Sequence, residues 1–258
     1  MEISTNTHND WVDIIIPTFD NVNQLSQCVE SILAHKHVWP VKIIIVNNGE
    51  APLEQFFNQD EVTILDSSIN RGWTGGLKFG LEHSNSQFVM FANDDIFIPQ
   101  SSSEWLHGMV RVLSAHSDCA AIGPSSNCVM GSQNIWARPR GSVFYTAFLV
   151  GFCVLTNRRI LDEVGGVDEN FYTGDDIDLS IRYRIAGYKL IVLASVFVFH
   201  HGFQTGEKVH GKPDKPGGWN SRNMSDETTK HLIQKHGFMP WWKTICKAEI
   251  PLWKGEEL

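Results

Sequence analysis

The chain has 258 residues, of which 42% are hydrophobic and 19% are charged, and its formal net charge at pH 7 is −8. This length and composition are typical of a globular chain with a substantial core, and they exclude an intrinsically disordered one. Nucleic-acid binding is disfavoured, because phosphate contacts need clustered Lys and Arg and the sequence shows no such cluster.

The five cysteines are scattered, without the close pairs of a zinc site or a redox motif, so a reducing, cytoplasmic compartment is the simpler interpretation. Residues 1–10 lack the layout of a signal peptide, and the longest nearly apolar run, 144–155, is shorter than the roughly 20 residues of a membrane span. The tail mixes tryptophans and lysines, which suits two alternatives: peripheral contact with the inner face of the cell membrane, or ordinary packing of the tail on its own domain. These residues are Trp241, Trp242, Trp253, Lys243, Lys247 and Lys254.

Short apolar runs alternate with longer mixed segments through the first hundred residues, a pattern typical of a parallel sheet with crossover helices. The predicted elements are a strand at 12–16, a helix at 21–35, strands at 41–46 and 62–65, a glycine-rich turn at 70–76, a helix at 77–83 and a strand at 88–92. This series predicts an α/β fold with a Rossmann-like, mostly parallel central sheet flanked by helices. Residues 11–100 are then the nucleotide-binding half.

The second half is less regular. Its predicted elements are a helix at 102–114, a strand near 120–123, an apolar stretch at 144–155, helices at 157–164 and 176–186 and a strand at 190–199. Residues 202–223 are rich in Gly, Lys and Pro, and we expect a mobile loop that closes over a bound ligand. The expected organisation is a flexible N-terminus at 1–10, a second half of the same domain at 101–205, and a mobile loop with a C-terminal helical tail at 206–258.

Polar residues follow several predicted strands, and in an open α/β sheet they converge at one edge. A buried carboxylate is costly unless it is compensated, and a hard cation with oxygen ligands is one compensation. Taken alone, Asp94–Asp95 is more often a turn or helix cap, and His200–His201 is more often a strand end. Their expected position on one edge favours a divalent-metal site.

Two further motifs each allow two interpretations, one structural and one functional. The segment 70–76 lacks the phosphate-loop ending and the dinucleotide glycine spacing, so it is either a flexible turn or a close backbone approach to a nucleotide, with Arg71 or Lys78 near its charge. Asp175–Asp176 stands where a helix should begin, which suits either helix capping or a general base in a cleft.

The motifs as a set resemble family-two glycosyltransferases of the GT-A fold, over about residues 11–205. Within that family they are most similar to bacterial rhamnosyltransferase-type enzymes of surface-polysaccharide assembly. The motifs are Pro17-Thr18-Phe19, Val46-Asn47-Asn48-Gly49, Asn70 to Gly80, Asn93-Asp94-Asp95, Gly151 to Arg159, Val164 to Phe171, Gly174 to Arg182, Ala186-Gly187-Tyr188 and His200 to Thr205.

The resemblance implies a metal-dependent, inverting transfer of a hexosyl or deoxyhexosyl group. The donor would be a UDP-, dTDP- or GDP-linked sugar, and the acceptor a glycan or lipid-linked glycan bound by the second half. By position, Asp95 and His200 would bind Mn²⁺ or Mg²⁺, and Asp176 would be the base. The implied nucleotide-sugar-binding residues are Pro17, Thr18, Phe19, Asn47, Asn48, Arg71, Gly75, Gly76, Lys78, Asn93 and Asp94.

Three residues depart from the family's pattern. Asn47 and Asn93 replace acids, which leaves the nucleotide's identity open, since an amide still hydrogen-bonds a base or ribose. Asp175 replaces Glu in the acidic pair, so either Asp175 or Asp176 could be the base. Trp73, Trp136 and Tyr172 are candidates for stacking on sugar rings of the acceptor, or for core packing.

Two other functions fit the same residues. A nucleotidyltransferase would also join an α/β nucleotide half to acidic metal ligands, but it would need a basic residue on the triphosphate instead of a base at Asp176. A sugar-nucleotide-binding protein without turnover is the second alternative, which the replacements at Asn47 and Asn93 keep open.

Overall fold

The computed structural model of the protein describes residues 11–35, 38–58, 60–136, 143–171, 173–202 and 221–248, and of 221–225 only the backbone. Several sequence predictions concern residues outside these ranges. They are the flexible N-terminus at 1–10, the role of Tyr172, most of the expected loop at 202–223, and the tail residues Trp253 and Lys254.

An eight-stranded sheet forms the centre of the described structure, in the order β3-β2-β1-β4-β8-β6-β9-β7. Strand β8 is antiparallel to both of its neighbours and β7 is antiparallel to β9, whereas the other pairs are parallel. The predicted mostly parallel α/β sheet is confirmed. The strands are β1 Val12–Thr18, β2 Val41–Asn47, β3 Val62–Asp66, β4 Phe88–Ala92, β6 Cys119–Ser125, β7 Val143–Tyr145, β8 Cys153–Asn157 and β9 Lys189–Phe197.

Helices cover the sheet, and a short second sheet lies beside it. In that second sheet β5, Ile96–Phe97, pairs antiparallel with β10, Phe199–His200. The helices are α1 Val22–Leu33, α2 Gly72–Glu82, α3 Trp105–Ala115, α4 Arg158–Glu163, α5 Asp175–Ile185, α6 Ser221–His236 and α7 Phe238–Ile245. Single 3₁₀ turns occur at Leu53–Gln55, Gln100–Ser102 and Gly131–Gln133.

The central strands are apolar on both sides because each of their faces is covered. Successive residues of a strand point to opposite faces. Ile14 and Ile16 of β1 therefore join the hydrophobic layer under α1 and α3, whereas Ile15 joins the layer under α2, α4 and α5. All seven residues of β1 and all five of β4 are buried. This double burial explains why these strands appear in the sequence as continuous rather than alternating apolar runs.

Helix α2 corrects the predicted turn at 70–76 and helix at 77–83, because the helix already begins at Gly72. Its glycines permit close packing instead of forming a turn. A Cβ at Gly76 would lie 2.9 Å from Cβ of Pro17, and one at Gly80 would overlap the side chain of Ile15. The glycines thus let the helix lie directly on β1, which places its N-terminus at the carboxyl end of that strand.

The predicted apolar stretch at 144–155 is two strands, β7 and β8, that lie apart in the sheet. The residues between them are largely buried as well, which explains why the sequence shows no break. The predicted last strand at 190–199 is likewise divided into β9 and β10.

The C-terminal helices pack on α5. The His231 ring of α6 stacks on Phe171 with 4.2 Å between centroids, and Leu232 is buried in the same small cluster, against which Trp241 packs. Phe238 and Met239 of α7 are 53% and 51% exposed. Within the described residues, no helix has both the length and the apolar character to cross a bilayer. Peripheral membrane contact through the tail stays a prediction.

A buried carboxylate anchors this packing. Asp178 of α5 is fully buried, and its Oδ2 accepts hydrogen bonds from Nε and Nη2 of Arg182 at 2.8 and 2.7 Å. Its Oδ1 lies 2.7 Å from both Nζ of Lys235 and Nε2 of His236, at the end of α6. A buried charge needs paired and hydrogen-bonded partners, so Asp178 fixes α6 to α5.

Replacing Asp178 with Asn should lower the free energy of unfolding by about 3 kcal/mol, because Arg182 and Lys235 would then face an uncharged group. Asp162→Asn is the matched control, since Asp162 pairs with Arg158 four residues away on the surface, where a pair contributes about 0–1 kcal/mol. Urea denaturation measures both variants. Equal losses would show that Asp178 is no anchor.

Candidate active site

The carboxyl ends of β1 and β4 are joined by a hydrogen bond between side chains. Thr18 Oγ1 donates to Oδ2 of Asp94 at 2.7 Å, and both residues are buried. Phe19 follows as a half-buried residue. The bond stabilises the carboxylate of Asp94 at the edge of the sheet, whereas the side chain of Asp95, the next residue, lies beside His200.

Asn47, at the end of β2, lies beside a carboxylate that the sequence analysis missed. Its Nδ2 donates to Oδ1 of Asp66 at 2.8 Å and to the carbonyl of Ala51, and its Oδ1 accepts from the Gly49 amide. An aspartate at position 47 would be repelled by Asp66, whereas an amide supplies the donor. Asp66 ends the neighbouring strand β3 in register with Asn47 and is exposed, so a negative charge is present here although residue 47 is neutral.

Asn48 holds the start of α2. Its Oδ1 accepts from the Arg71 amide and its Nδ2 donates to the Gly72 carbonyl, both at 3.1 Å. This clamp lies beside Gly75 and Gly76, so main chain rather than side chain borders the carboxyl end of β1.

The basic residues expected near the nucleotide have other partners. Nε of Arg71 donates to Ser67 Oγ at 3.0 Å, and its guanidinium lies 4.5 Å from the centre of the Phe79 ring. Lys78 forms an ion pair with Glu169 at 2.6 Å. The contacts of Arg71 and the ion pair of Lys78 are on the surface, where such interactions are weak.

His200, Asp95 and Asn93 meet at a buried point. The ring atom Nε2 of His200 lies 3.2 Å from Oδ1 of Asp95 and 3.0 Å from Nδ2 of Asn93. On the other side of the ring, Nδ1 lies 2.8 Å from the Cys128 carbonyl, to which it donates, and this assigns the lone pair of the neutral ring to Nε2. His201 is exposed, with its ring edge against Phe199.

The geometry around Asp95 fits a cation. Its Oδ1 is buried and accepts no hydrogen bond from any described residue, because Nε2 of His200, 3.2 Å away, carries a lone pair in the neutral ring. Burial lowers the pKa of His200, but Asp95 and the Cys128 carbonyl outweigh burial, and the net pKa is raised. The pair therefore attracts positive charge, and carboxylate oxygen with imidazole nitrogen is a usual ligand set for divalent ions.

The segment that follows β6 and contacts β10 is a second feature that the sequence did not reveal. Asn127 hydrogen-bonds the main chain of His200 twice, accepting from its N–H at 2.9 Å and donating to its carbonyl at 3.0 Å. With the Cys128 carbonyl on the ring, this segment fixes both the position and the orientation of His200. Neither residue belongs to a motif in the sequence that would have indicated this role.

Asp175 and Asp176 begin α5, directly after Gly174, whose φ of 78° suits glycine. Asp176 accepts the Gly151 and Ile177 amides at 3.1 and 2.8 Å, one on each oxygen. Asp175 Oδ2 accepts the indole N–H of Trp73 at 3.0 Å. The two acids are therefore held by different partners, Asp176 by main chain and Asp175 by a side chain of α2.

The environment of this pair is apolar, including a cavity of about 30 Å³ lined by Leu77, Phe91 and Tyr183. Burial, and second the charge of Asp176, raise the pKa of Asp175 to about 8. Burial also raises the pKa of Asp176, while its main-chain hydrogen bonds limit the rise. Near neutral pH the pair therefore shares one proton, held chiefly on Asp175.

Of the three aromatic residues expected at the acceptor, the described structure includes two. Trp136 is 85% exposed, and Trp73 packs against the hydrophobic layer under α2 while its nitrogen is bound to Asp175.

The raised pKa of Asp175 predicts a pH-dependent stability. Between the ordinary value of 3.8 and about 8 the folded state keeps a proton that the unfolded state has lost, so the free energy of unfolding falls as pH rises through this window. Asp175→Asn cannot titrate, so its melting temperature relative to the wild type should rise by a few degrees from pH 5 to 8. The surface variant Asp60→Asn is the control, and a pH-independent difference for Asp175→Asn would contradict the assignment.

Solved structures share the fold. A mannosyltransferase from Pyrobaculum calidifontis, in complex with GDP-Man and Mn²⁺, superposes with a TM-score of 0.66 at 17% identity, over 92% of this chain and 68% of its own. GalNAc-T7, with UDP, GalNAc and Mn²⁺, superposes with a TM-score of 0.64 at 12% identity, over 87% of this chain and 48% of its own. The fold of the chain is GT-A, as the resemblance implied.

Relatives in sequence are longer proteins. The chain is 27% identical over 225 residues to an uncharacterized protein of Sinorhizobium fredii, covering 74% of this chain and 24% of that one. It is 23% identical over 223 residues to an O-antigen biosynthesis protein of Myxococcus xanthus, covering 74% and 17%. It is 24% identical over 202 residues to a pre-mycofactocin glycosyltransferase of Mycobacterium tuberculosis, covering 71% and 41%. The chain thus spans less than half the length of each.

The family assignment comes from the match of residues 13–165 to the model of glycosyl transferase family 2. This range is more than half of the chain and contains β2 to β8 and all of β1 except Val12. The chain belongs to glycosyl transferase family 2.

Proposed function

We propose that this domain transfers a hexosyl or deoxyhexosyl group from a nucleoside-diphosphate sugar to a hydroxyl group of a glycan or lipid-linked glycan, with inversion at the anomeric carbon. One observation carries the proposal. The described structure holds two separate carboxylate centres, Asp95 with His200 and Asp175 with Asp176, and each has the chemistry that one half of the reaction requires.

Asp95 and His200 would hold a divalent cation. The unsatisfied oxygen of Asp95 and the fixed ring of His200 support this role, as do the Mn²⁺ complexes of the two structural neighbours. A bound cation supplies charge neutralisation for the departing diphosphate. The imidazole favours a transition ion such as Mn²⁺ over Mg²⁺, which prefers oxygen ligands.

The carboxyl ends of β1, β2 and β3 would bind the nucleotide. Asp66, held by the buried amide of Asn47, offers an exposed carboxylate to the base or ribose, and the glycine main chain at the start of α2 lies beside them. The neighbours' complexes with GDP-Man and UDP support a nucleoside diphosphate as the class of ligand. UDP-, dTDP- and GDP-linked sugars all fit these groups.

Asp176 would be the base. Its two main-chain hydrogen bonds fix the carboxylate in place and favour its charged form, while Asp175 retains the shared proton. As the acceptor oxygen bonds to the anomeric carbon, the bond from that carbon to the diphosphate oxygen breaks, and the hydroxyl proton passes to Asp176. A fixed base on one side of the sugar and a leaving group on the other give inversion.

The acceptor would belong to a surface polysaccharide. The O-antigen biosynthesis protein of Myxococcus xanthus supports this class, as a relative in sequence. Two alternatives, a nucleotidyltransferase and a binding protein without turnover, predict different products from a nucleotide sugar. Release of nucleoside diphosphate supports transfer, release of pyrophosphate would indicate a nucleotidyltransferase, and the absence of both would indicate a binding protein.

Asp95→Ala and His200→Ala should each abolish the part of nucleoside-diphosphate affinity that depends on Mn²⁺, because each removes one cation ligand. Isothermal titration with UDP, dTDP and GDP, with and without Mn²⁺, measures this. His201→Ala is the matched control, since its ring lies outside the buried cluster. Loss of the Mn²⁺ effect in His201→Ala, but not in His200→Ala, would reverse the assignment.

Asp176→Asn should lower turnover by about 10²–10⁴-fold and leave donor affinity nearly unchanged, because a base acts only as the new bond forms. An Asn keeps one of the two main-chain hydrogen bonds, so the melting temperature of the variant is measured as well. Nucleoside diphosphate release reports turnover. Normal turnover in Asp176→Asn with loss in Asp175→Asn would make Asp175 the base, and activity in both would exclude this mechanism.

A further inference from the structure

We propose that Trp73 is a positioning residue that fixes the carboxyl group of Asp175 and links the acidic pair to the nucleotide side of the domain. The inference rests on the proposed function, and it gives Trp73 a role other than stacking on a sugar ring. It is carried by contacts between the first turn of α2 and the segment that leads into α5.

Two side chains of the first turn of α2 form hydrogen bonds with the segment that leads into α5. The indole N–H of Trp73 donates to Oδ2 of Asp175 at 3.0 Å. The hydroxyl of the next residue, Thr74, donates to the Phe171 carbonyl at 3.0 Å, and Thr74 is buried. The start of α2 is therefore connected to both ends of the short segment 171–175.

The same turn is fixed on the nucleotide side. Asn48, at the end of β2, bonds the Arg71 amide and the Gly72 carbonyl, on the residues immediately before Trp73. A change in the main chain at 71–72 on nucleotide binding would therefore move the indole. Movement of the indole would in turn change the hydrogen bond to Asp175, about a hundred residues along the chain.

The hydrogen bond also limits how far the pKa of Asp175 rises. An indole N–H can only donate, so it stabilises charge on the oxygen that accepts it. The charged groups that act on Asp175 are Asp176 beside it and Asp178 one turn further along α5. Asp178 is already paired with Arg182, Lys235 and His236, so the repulsion on Asp175 comes mainly from Asp176. The indole N–H of Trp73 opposes that repulsion.

The position of the ring agrees with this role. Trp73 packs against the hydrophobic layer under α2, and its nitrogen is used by Asp175. A ring held on the core and bonded through its polar atom has little freedom to rearrange, which is the property needed to fix a neighbouring carboxylate.

Trp73→Phe keeps an aromatic ring at this position and removes the indole N–H. We expect kcat to fall about ten-fold while the KM for the donor changes less than about two-fold. The basic limb of the pH–rate profile, where the pair loses its shared proton, should move to higher pH, because Asp175 loses a donor that favours its charged form. Trp11→Phe is the matched control, since the Trp11 indole donates to Oδ1 of Asp13 at the same 3.0 Å, at the opposite end of β1.

The outcomes separate this role from others. An unchanged kcat and pH profile in Trp73→Phe would overturn the inference, and so would a large rise in donor KM with constant kcat, which would indicate ring stacking. Titration of Asp175 by carboxyl ¹³C NMR tests the same bond without turnover, and Trp73→Phe should raise its pKa. If the wild type transfers no sugar, the proposed function fails, whereas an unmoved NMR pKa contradicts the role of Trp73.

Discussion

Buried carboxylates and their compensation determine how this structure is assembled. Charge removed from water is costly unless partners replace the lost hydration, and the chain meets this requirement differently at each place. Asp13 accepts the hydroxyl of Ser84 and main-chain amides, Asp94 accepts a hydroxyl, and Asp178 collects cations from two helices. Among the described residues, Asp95 alone retains a buried carboxylate oxygen without a hydrogen bond, which supports its proposed role as a cation ligand.

The same requirement explains the residues that depart from the family's pattern. Asn47 is neutral where an acid is usual, but β3 brings the charge of Asp66 to the same place, so the amide serves as a donor between strands. Asn93 likewise turns its amide to the ring of His200 instead of adding a carboxylate to that point. At positions 47 and 93 the amide therefore adds a hydrogen-bond donor next to a carboxylate that is already present, Asp66 and Asp95 respectively.

The sequence predicted most strands within about two residues, because burial on both faces of the sheet leaves unbroken apolar runs such as Ile14 to Ile16. It did not predict that α2 begins at Gly72, since glycine usually marks turns and only the contact with Pro17 and Ile15 shows its use in packing. The family motifs indicated Asp95, Asp176 and His200 as site residues, and their roles stay predictions. The roles of Asp66, Asn127 and Cys128 depend on contacts between distant segments, which no local pattern encodes.

Strand β8 prevents the chain from being divided into two separately folding pieces. All five residues of β4 pair with β8, from Phe88 opposite Asn157 to Ala92 opposite Cys153, and β8 also joins β4 to β6. A fragment that stops at residue 100 would leave β4 as an uncovered edge strand with apolar side chains on both faces, which favours aggregation. The two halves of the chain therefore form one folding unit, whose sheet is completed only by contacts across some sixty residues of intervening chain.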